Sequence, residues 1–502
     1  MTGQRSRWIA LGTLVLAVLL IAVDATVLGL AIPSLTEDLR PTSTQLLWIG
    51  DSYSFVLAGL LVTMGTLGDR IGRKRLLLIG AAAFGLMSVL AAYATSPVML
   101  IAARGLLGVA GATLMPSTLS IIRNLFTDDR ERTLAIGVWG AMASAGAAVG
   151  PVVGGLLLEH FWWGSVFLIN VPVMVLLIAV GAVTLPESRD PSPGPWDLAS
   201  AALSLVGVVS LVYAVKELAA GAGWPTVLAG LVVGVAALTW FVRRQLRLPV
   251  PLVDVRLFAD RAFTGAVLAQ LLAILGLSAL AFFMSQFLQL VQGLRPLEAG
   301  VRELPATAGA VLFGLVAGAV ARRWSPRATV TAGLAAIGVA MAAVLGLRTG
   351  IGFLPVGLGM FVVGAGAGLA LTVTADIVLS SAPKEKAGAA SAVSETSYEL
   401  GAALGIALLG SIITGYYRGA VTLPAGVPED VASAARDSLG GAVTSAGGLP
   451  AEVTEAVLSA ARDTFVDGMR LGSAVGAVLL LAAAGTAWVL LRRPGHRVSE
   501  PS

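Results

Sequence analysis

Residues 8–32 read WIALGTLVLAVLLIAVDATVLGLAI, an apolar run broken by one charged residue, Asp24. About 20 consecutive apolar residues, rising ~1.5 Å each in a helix, span the hydrocarbon of a bilayer. Arg5 and Arg7 precede the run, but it is too long for a cleavable leader and lacks a small-residue cleavage site, so it reads as a first membrane span. The same reading recurs along the chain, giving fourteen spans near 8–32, 45–67, 76–94, 98–122, 133–158, 163–185, 198–217, 224–242, 262–290, 300–321, 328–347, 352–380, 389–416 and 469–491. Composition agrees: of 502 residues, 57% are hydrophobic and 12% charged, against about 25% charged in a soluble domain. The expected fold is an all-α polytopic membrane protein, with no room for a sizeable soluble catalytic domain.

Charge outside the spans sets the orientation. Of the 33 Lys and Arg, 23 fall in segments on the same side as both termini, and only Arg40, Lys216, Arg295, Arg302 and Arg348 fall in the short segments opposite. By the positive-inside rule both termini are expected in the cytoplasm. The net charge of +4 then reflects topology rather than a nucleic-acid partner. Trp48, Trp162, Trp163, Trp224, Trp240 and Trp324 lie near span ends, where indoles anchor at the membrane interface. Cysteine is absent, and the only histidines are His160 and His496. No disulfide framework, His/Cys metal site or clustered catalytic set is expected, and hence no enzyme and no cofactor. The sequence also contains no Gly-Lys-Ser/Thr phosphate loop, so energy is expected from an ion gradient rather than ATP.

Three regions are expected: a six-span unit at 1–185, a linker with two additional spans at 186–261, and a second six-span unit at 262–502. The linker opens with a Pro-rich stretch at 186–195. Residues 417–468 form one outsized external segment with two stretches of helical spacing, Glu429–Ala442 and Ala451–Thr464, read as a helical hairpin. A weak repeat relates the halves: the Gly65–Arg75 junction has a degraded counterpart at Gly314–Arg327, a pattern typical of transporters.

The strongest local motif is LGDRIGRKR at 67–75, which with the preceding Gly65 sets Asp69 between glycines ahead of a basic run: Gly68, Asp69, Arg70, Gly72, Arg73 and Lys74. Here the chain resembles the major facilitator superfamily, whose loop between the second and third helices has this spacing. The resemblance implies two six-helix bundles and gives Gly65, Asp69, Arg70, Gly72 and Arg73 the role of a cytoplasmic gate. GAAVGPVVGG at 146–155 sets Gly146, Gly150 and Gly154 four apart on one face, with Gly155 beside them, and Pro151 removes a helical hydrogen bond. Such a run serves helix packing, and within this superfamily it resembles the signature of drug:proton antiporters, which implies export. LIAARGLLGVAGA, with Arg104, Gly108 and Gly111, and VDATVLGLAIP around Asp24 are similar to further signatures of the fourteen-helix members. In the latter, Gly29 stands where Asn is usual.

Charged residues inside spans are costly and mark ion or substrate paths. Asp24, Asp51 and Arg104 lie roughly 12, 9 and 9 Å from the outer ends of their spans, counted at ~1.5 Å per residue, a depth at which they can meet. A static ion pair that locks helices is the alternative use. In SAVSETSYELGAALG (391–405), Glu395 and Glu399 are four apart and share a helix face with Tyr398 nearby. Two carboxylates so close cannot both ionise cheaply in a low dielectric, so the pair is expected to hold a proton it can release. A carboxylate that alternates between a proton and an organic cation performs antiport. Hydration at the cytoplasmic end is the plainer reading of Glu395. No acid occurs in 304–321, where some relatives have one.

The expected function is proton-coupled export of amphipathic, mostly cationic drugs and dyes across a bacterial cytoplasmic membrane, by a monomer with no nucleic-acid partner. One proton moving inward supplies about 2.3 kcal/mol per 100 mV plus about 1.36 kcal/mol per pH unit, enough for a tenfold or larger drug gradient. Tyr53, Phe282, Phe283, Met284, Phe287 and Tyr398 are candidate linings of an apolar cavity, plain packing being the alternative. A dedicated exporter of an endogenous metabolite or antibiotic would use the same fold and proton site.

Overall fold

Every long apolar run forms a helix, because in lipid a helix satisfies its own backbone groups. The computed structural model describes residues 4–126, 128–189, 197–219, 223–249, 251, 253–381 and 387–491. Most of the Pro-rich 186–195 stretch and the last eleven residues lie outside them. Among the described residues the long helices are α1 (Gln4–Leu39), α2 (Ser43–Ile71), α3 (Arg73–Ala92), α4 (Pro97–Leu125), α5 (Asp129–His160), α7 (Asn170–Thr184), α8 (Leu198–Ala219), α9 (Trp224–Arg247), α10 (Arg261–Gln286), α11 (Pro296–Trp324), α12 (Pro326–Ala343), α13 (Phe353–Ser381), α14 (Ala387–Ala420) and α17 (Ala451–Leu490). Among the shorter elements are the α-helices α6 (Ser165–Leu168), α15 (Glu429–Asp437) and α16 (Leu439–Ala446), with 3-10 turns at Val255–Ala259 and Val344–Gly346 and a π turn at Phe287–Val291. Twelve helices are long and apolar enough to cross a membrane among the described residues; α2 and α5 are the other two long ones.

The structure departs from the sequence reading in detail. The sixth span opens as the separate turn α6 before α7. The first hairpin arm is two helices, because Ser438 takes an extended backbone and caps α16 through Gly441 N–H. The second arm is not a separate element: it runs without a break into the last span as the 40-residue α17. Nothing between Thr464 and Gly472 stops a helix, so the chain continues through.

Small residues draw the helices together, as expected where lipid supplies no hydrophobic drive. Gly108 of α4 and Gly401 and Gly405 of α10's neighbour α14 lie directly against backbone of α2 and α10. Helices α8 and α9 pack on each other through Gly207, Gly230 and Gly234. The α8 helix also lies against both α2 and α14, where Phe55, Val212, Ala403 and Ala407 form a small apolar cluster.

The related junctions also share geometry. The α2–α3 break is the single residue Gly72 at φ 109°, and the α11–α12 break is Ser325, also at φ 109°. The end of the molecule carrying α15 and α16 is sealed between the first helices and α10–α17. Gln289 Nε2 donates to the Leu30 carbonyl at 3.1 Å, Arg295 pairs with Glu159 at 2.7 Å, and Gly50 packs on the Phe282 ring. Above this seam, the Ser43 N–H donates to Asp437 Oδ2 at 2.8 Å, and Asp437 pairs with Arg418 at 3.0 Å. The hairpin therefore straps the end of α1 and the start of α2 to the second set of helices.

Candidate functional site

Arg104 organises the buried charge. Ser96 caps α4 by accepting from Met99 N–H at 3.2 Å, and Gly108 and Gly111 bring the helix onto Tyr53 and its neighbours in α2. From there the guanidinium reaches Asp24 Oδ2 at 3.3 Å, the Ile49 carbonyl at 3.2 Å and the Gly50 carbonyl at 3.4 Å. It also sits over the Tyr53 ring, 5.0 Å from the centroid. Asp24 and Arg104 are 3% and 2% exposed, so desolvation is offset only because each polar atom finds a partner.

The other Asp24 oxygen accepts from Asn170 Nδ2 at 2.9 Å, and the same amide donates to Ser88 Oγ at 3.1 Å. Asn170 was missed in the sequence because, inside the span 163–185, it is uncharged and breaks no hydropathy pattern. Helices α1, α4 and α7 thus meet at one carboxylate, and α3 joins them through the Asn170 amide.

Asp51 does not join this pair, as depth alone had suggested. Its partner is Lys216 of α8, with Nζ 2.9 Å from Asp51 Oδ1 and 3.9 Å from the centroid of the Trp48 ring. Lys216, counted above among the external charges, is 1% exposed. Its long stem lets the ammonium turn inward from the last turn of α8.

On α14, Glu399 takes a hydrogen bond from Ser54 of α2. Glu395 has no hydrogen bond or ion pair among the described residues, and neither glutamate has a cationic partner at salt-bridge distance there. Tyr398 between them is 42% exposed, whereas Tyr53 is buried. Phe282, Phe283, Met284 and Phe287 are all buried. The first two meet edge to face at 5.0 Å, and Phe283 leans on Phe465 of α17. In this structure they fill the sealed seam rather than line an open cavity.

Another acid, Glu303 of α11, lies inside the tenth apolar run. It takes a hydrogen bond from Ser285, while its Oε1 is buried without a partner. Its position in the second turn, beside Arg302, made it look like an interfacial residue.

The glycine motif of α5 faces two ways. Gly146, Gly150 and Gly154 abut Leu19, Thr26 and Val27 of α1, while Gly155 lies against Leu297 of α11 and Pro151 accepts the close approach of Gly300. A Cβ at Gly155 would fall 2.6 Å from the Leu297 Cα.

In the basic junction, Gly65 faces Pro116 and Gly72 faces the Glu187 carboxylate. Glu187 accepts from Lys74 N–H at 3.2 Å, and the Ser188 carbonyl accepts from Arg73 N–H at 3.0 Å. An acid at a helix N-terminus suits the helix dipole, so the segment after α7 caps α3. Arg70 is exposed, and the Asp69 side chain lies outside the described residues. Among the described residues no group of three His, Cys, Asp or Glu is placed to hold a metal.

Comparison with known proteins follows the same architecture. The chain is 47% identical over 486 residues to the multidrug efflux pump LfrA of Mycolicibacterium smegmatis, covering 97% of this chain and 96% of that one. It is 38% identical over 506 residues to the methyl viologen resistance protein SmvA of Salmonella typhimurium, covering 98% and 99%. Among solved structures, a bacterial homologue of the human lysosomal transporter Spinster, in an inward-facing and unoccupied conformation, aligns with a TM-score of 0.68 at 18% identity, over 98% of each chain. The Major Facilitator Superfamily profile matches residues 14–406, and with these relatives it establishes that the chain belongs to that superfamily.

Proposed function

We propose that this transporter exports lipophilic, mostly cationic drugs in exchange for protons across a bacterial cytoplasmic membrane. The observation that carries the reading is the uneven pairing of charge within the helices. Asp24 is matched by Arg104 and Asp51 by Lys216, while Glu395 and Glu399 have no matching cation within salt-bridge distance among the described residues. An unmatched carboxylate within a membrane span is stable when it binds a proton or an organic cation, and exchanging one for the other is antiport. The efflux and resistance names of the relatives support a drug substrate.

With the termini in the cytoplasm, the hairpin end is the outer one, and its seal leaves loading to the inner side. Glu395 and Glu399 then form the exchange site, Asp24 and Arg104 the framework beside it, and the α2–α3 junction with Gly65, Asp69, Arg70, Gly72 and Arg73 the inner gate. The five glycine-motif residues of α5 give the seam a close-packed face on which α1 and α11 move. Two six-helix bundles, with α8 and α9 as an added pair, would rock about that seam as a monomer.

Reconstitution in liposomes with a trapped pH dye tests this. An imposed ethidium gradient should drive proton movement in the wild type, and Glu399→Gln and Asp24→Asn should each abolish it. Absence of proton movement with ethidium and with quaternary ammonium compounds in the wild type would overturn cation antiport.

A further inference from the structure

Lys216 is the buried charge that the exchange site does not explain. It comes from the added pair α8–α9, not from the helices that carry the other buried charges. Its ammonium touches one Asp51 oxygen and the face of Trp48, whereas Asp51 Oδ2 is buried with no partner. A carboxylate bonded to an ammonium that leans on an indole is the arrangement by which proteins hold organic cations. Here the cation is supplied by the chain itself.

The location makes that occupancy consequential. Asp51 and Ser54 are three apart on α2 and so lie on one helix face, and Ser54 is the group that bonds Glu399. Glu399 therefore meets α2 about one helical turn, ~5 Å along the axis, from the level of Asp51. Because α8 lies against both α2 and α14, it brings the lysine to the line where these two helices meet.

We propose that Lys216 is a specificity-determining residue: a tethered cation that occupies the Asp51 carboxylate and denies it to a second positive charge on the substrate. The inference rests on the cation-export reading above and assigns the two added helices a part in substrate choice. Removing the ammonium would leave Asp51 open as a second anionic contact beside Glu399, and doubly charged compounds would gain most from it.

Equilibrium dialysis of the purified full-length protein tests this with two probes, tetraphenylphosphonium, with one charge, and decamethonium, with two. In Lys216→Gln the ratio of decamethonium to tetraphenylphosphonium affinity should rise about tenfold, the effect of one added desolvated charge contact. Asp51→Asn combined with Lys216→Gln should return the ratio to the wild-type value. The double variant leaves no unpaired buried charge, so it stays measurable even where the single one is destabilised, and it is informative alone: a ratio well below wild type means Asp51 already binds the second charge and overturns the proposal. An unchanged ratio in a folded Lys216→Gln protein overturns it as well, as does a gain that survives the added Asp51→Asn change. A merely structural role would weaken both probes together and leave the ratio fixed. If the wild type binds neither probe, the cation-export reading fails and this inference with it; binding with an unmoved ratio removes only the role of Lys216.

Discussion

Asn170 shows how much one neutral side chain decides. Its amide holds the Asp24 oxygen that Arg104 does not reach, and leaving a buried carboxylate oxygen unsatisfied costs about 1–3 kcal/mol. Asn170→Leu should therefore slow drug-driven proton movement about tenfold or more while the protein still inserts, measured in the liposome assay against protein content. Asp197, which caps α8, responds to acid instead. Burial alone would raise its carboxyl, but hydrogen bonds from Arg244 and Ser200 more than offset this and hold it below the usual range. A depressed carboxylate stabilises the fold at pH above its unfolded value, near 3.9, and loses that contribution as pH falls through the folded value. The α8–α9 contact should loosen only below about pH 4, and Asp197→Asn should remove this acid step from the thermal melt. At this scale the sequence was partly legible. Depth along the helices suffices to bring Asp24 to Arg104, but Asn170 and Lys216 each act across a helix pair that no spacing along the chain reveals.

Between helices, the two related junctions invite a comparison. Gly72 and Ser325 share a φ that side chains rarely adopt, a strain of about 1–3 kcal/mol for a non-glycine residue. Ser325 offsets part of it by accepting from Ala328 N–H at 3.2 Å, a cap that contributes about 1 kcal/mol. Ser325→Gly should therefore be close to neutral in a thermal melt of the purified protein. Gly72→Ala has no such latitude, because its Cβ would meet the Glu187 carboxylate. It should lower the melting temperature by several degrees and free the segment after α7 to proteolysis. The repeat was visible in the sequence as glycine followed by arginines, but the shared backbone angle was not, since serine and glycine differ in what they announce. The apolar runs themselves were legible because hydropathy fixes the existence of a span. Where α17 begins was not, because a helix that leaves the membrane keeps its backbone bonds and changes only its side chains.

For the whole molecule, the strap at the hairpin end makes closure testable. Thr36 and Gly440 come from opposite sides of the seam, and a Cβ on Gly440 would lie 3.3 Å from that of Thr36, near the roughly 3.5–4.5 Å a disulfide requires. The chain has no cysteine of its own, so Thr36→Cys with Gly440→Cys gives a single engineered bond. Oxidation should halt ethidium transport and reduction restore it; continued transport in fully oxidised protein would show that the hairpin end need not open. The unbroken α17 has a mechanical consequence. Its 40 residues extend about 60 Å, twice the ~30 Å hydrocarbon, so much of its length stands clear of the bilayer like a mast rooted in the hull. A tilt of about 10° at the membrane would swing the far tip by roughly 5 Å over a ~30 Å arm, turning a slight internal roll into a displacement legible at the hairpin end, and a binder gripping that tip would hold the pump by its longest lever.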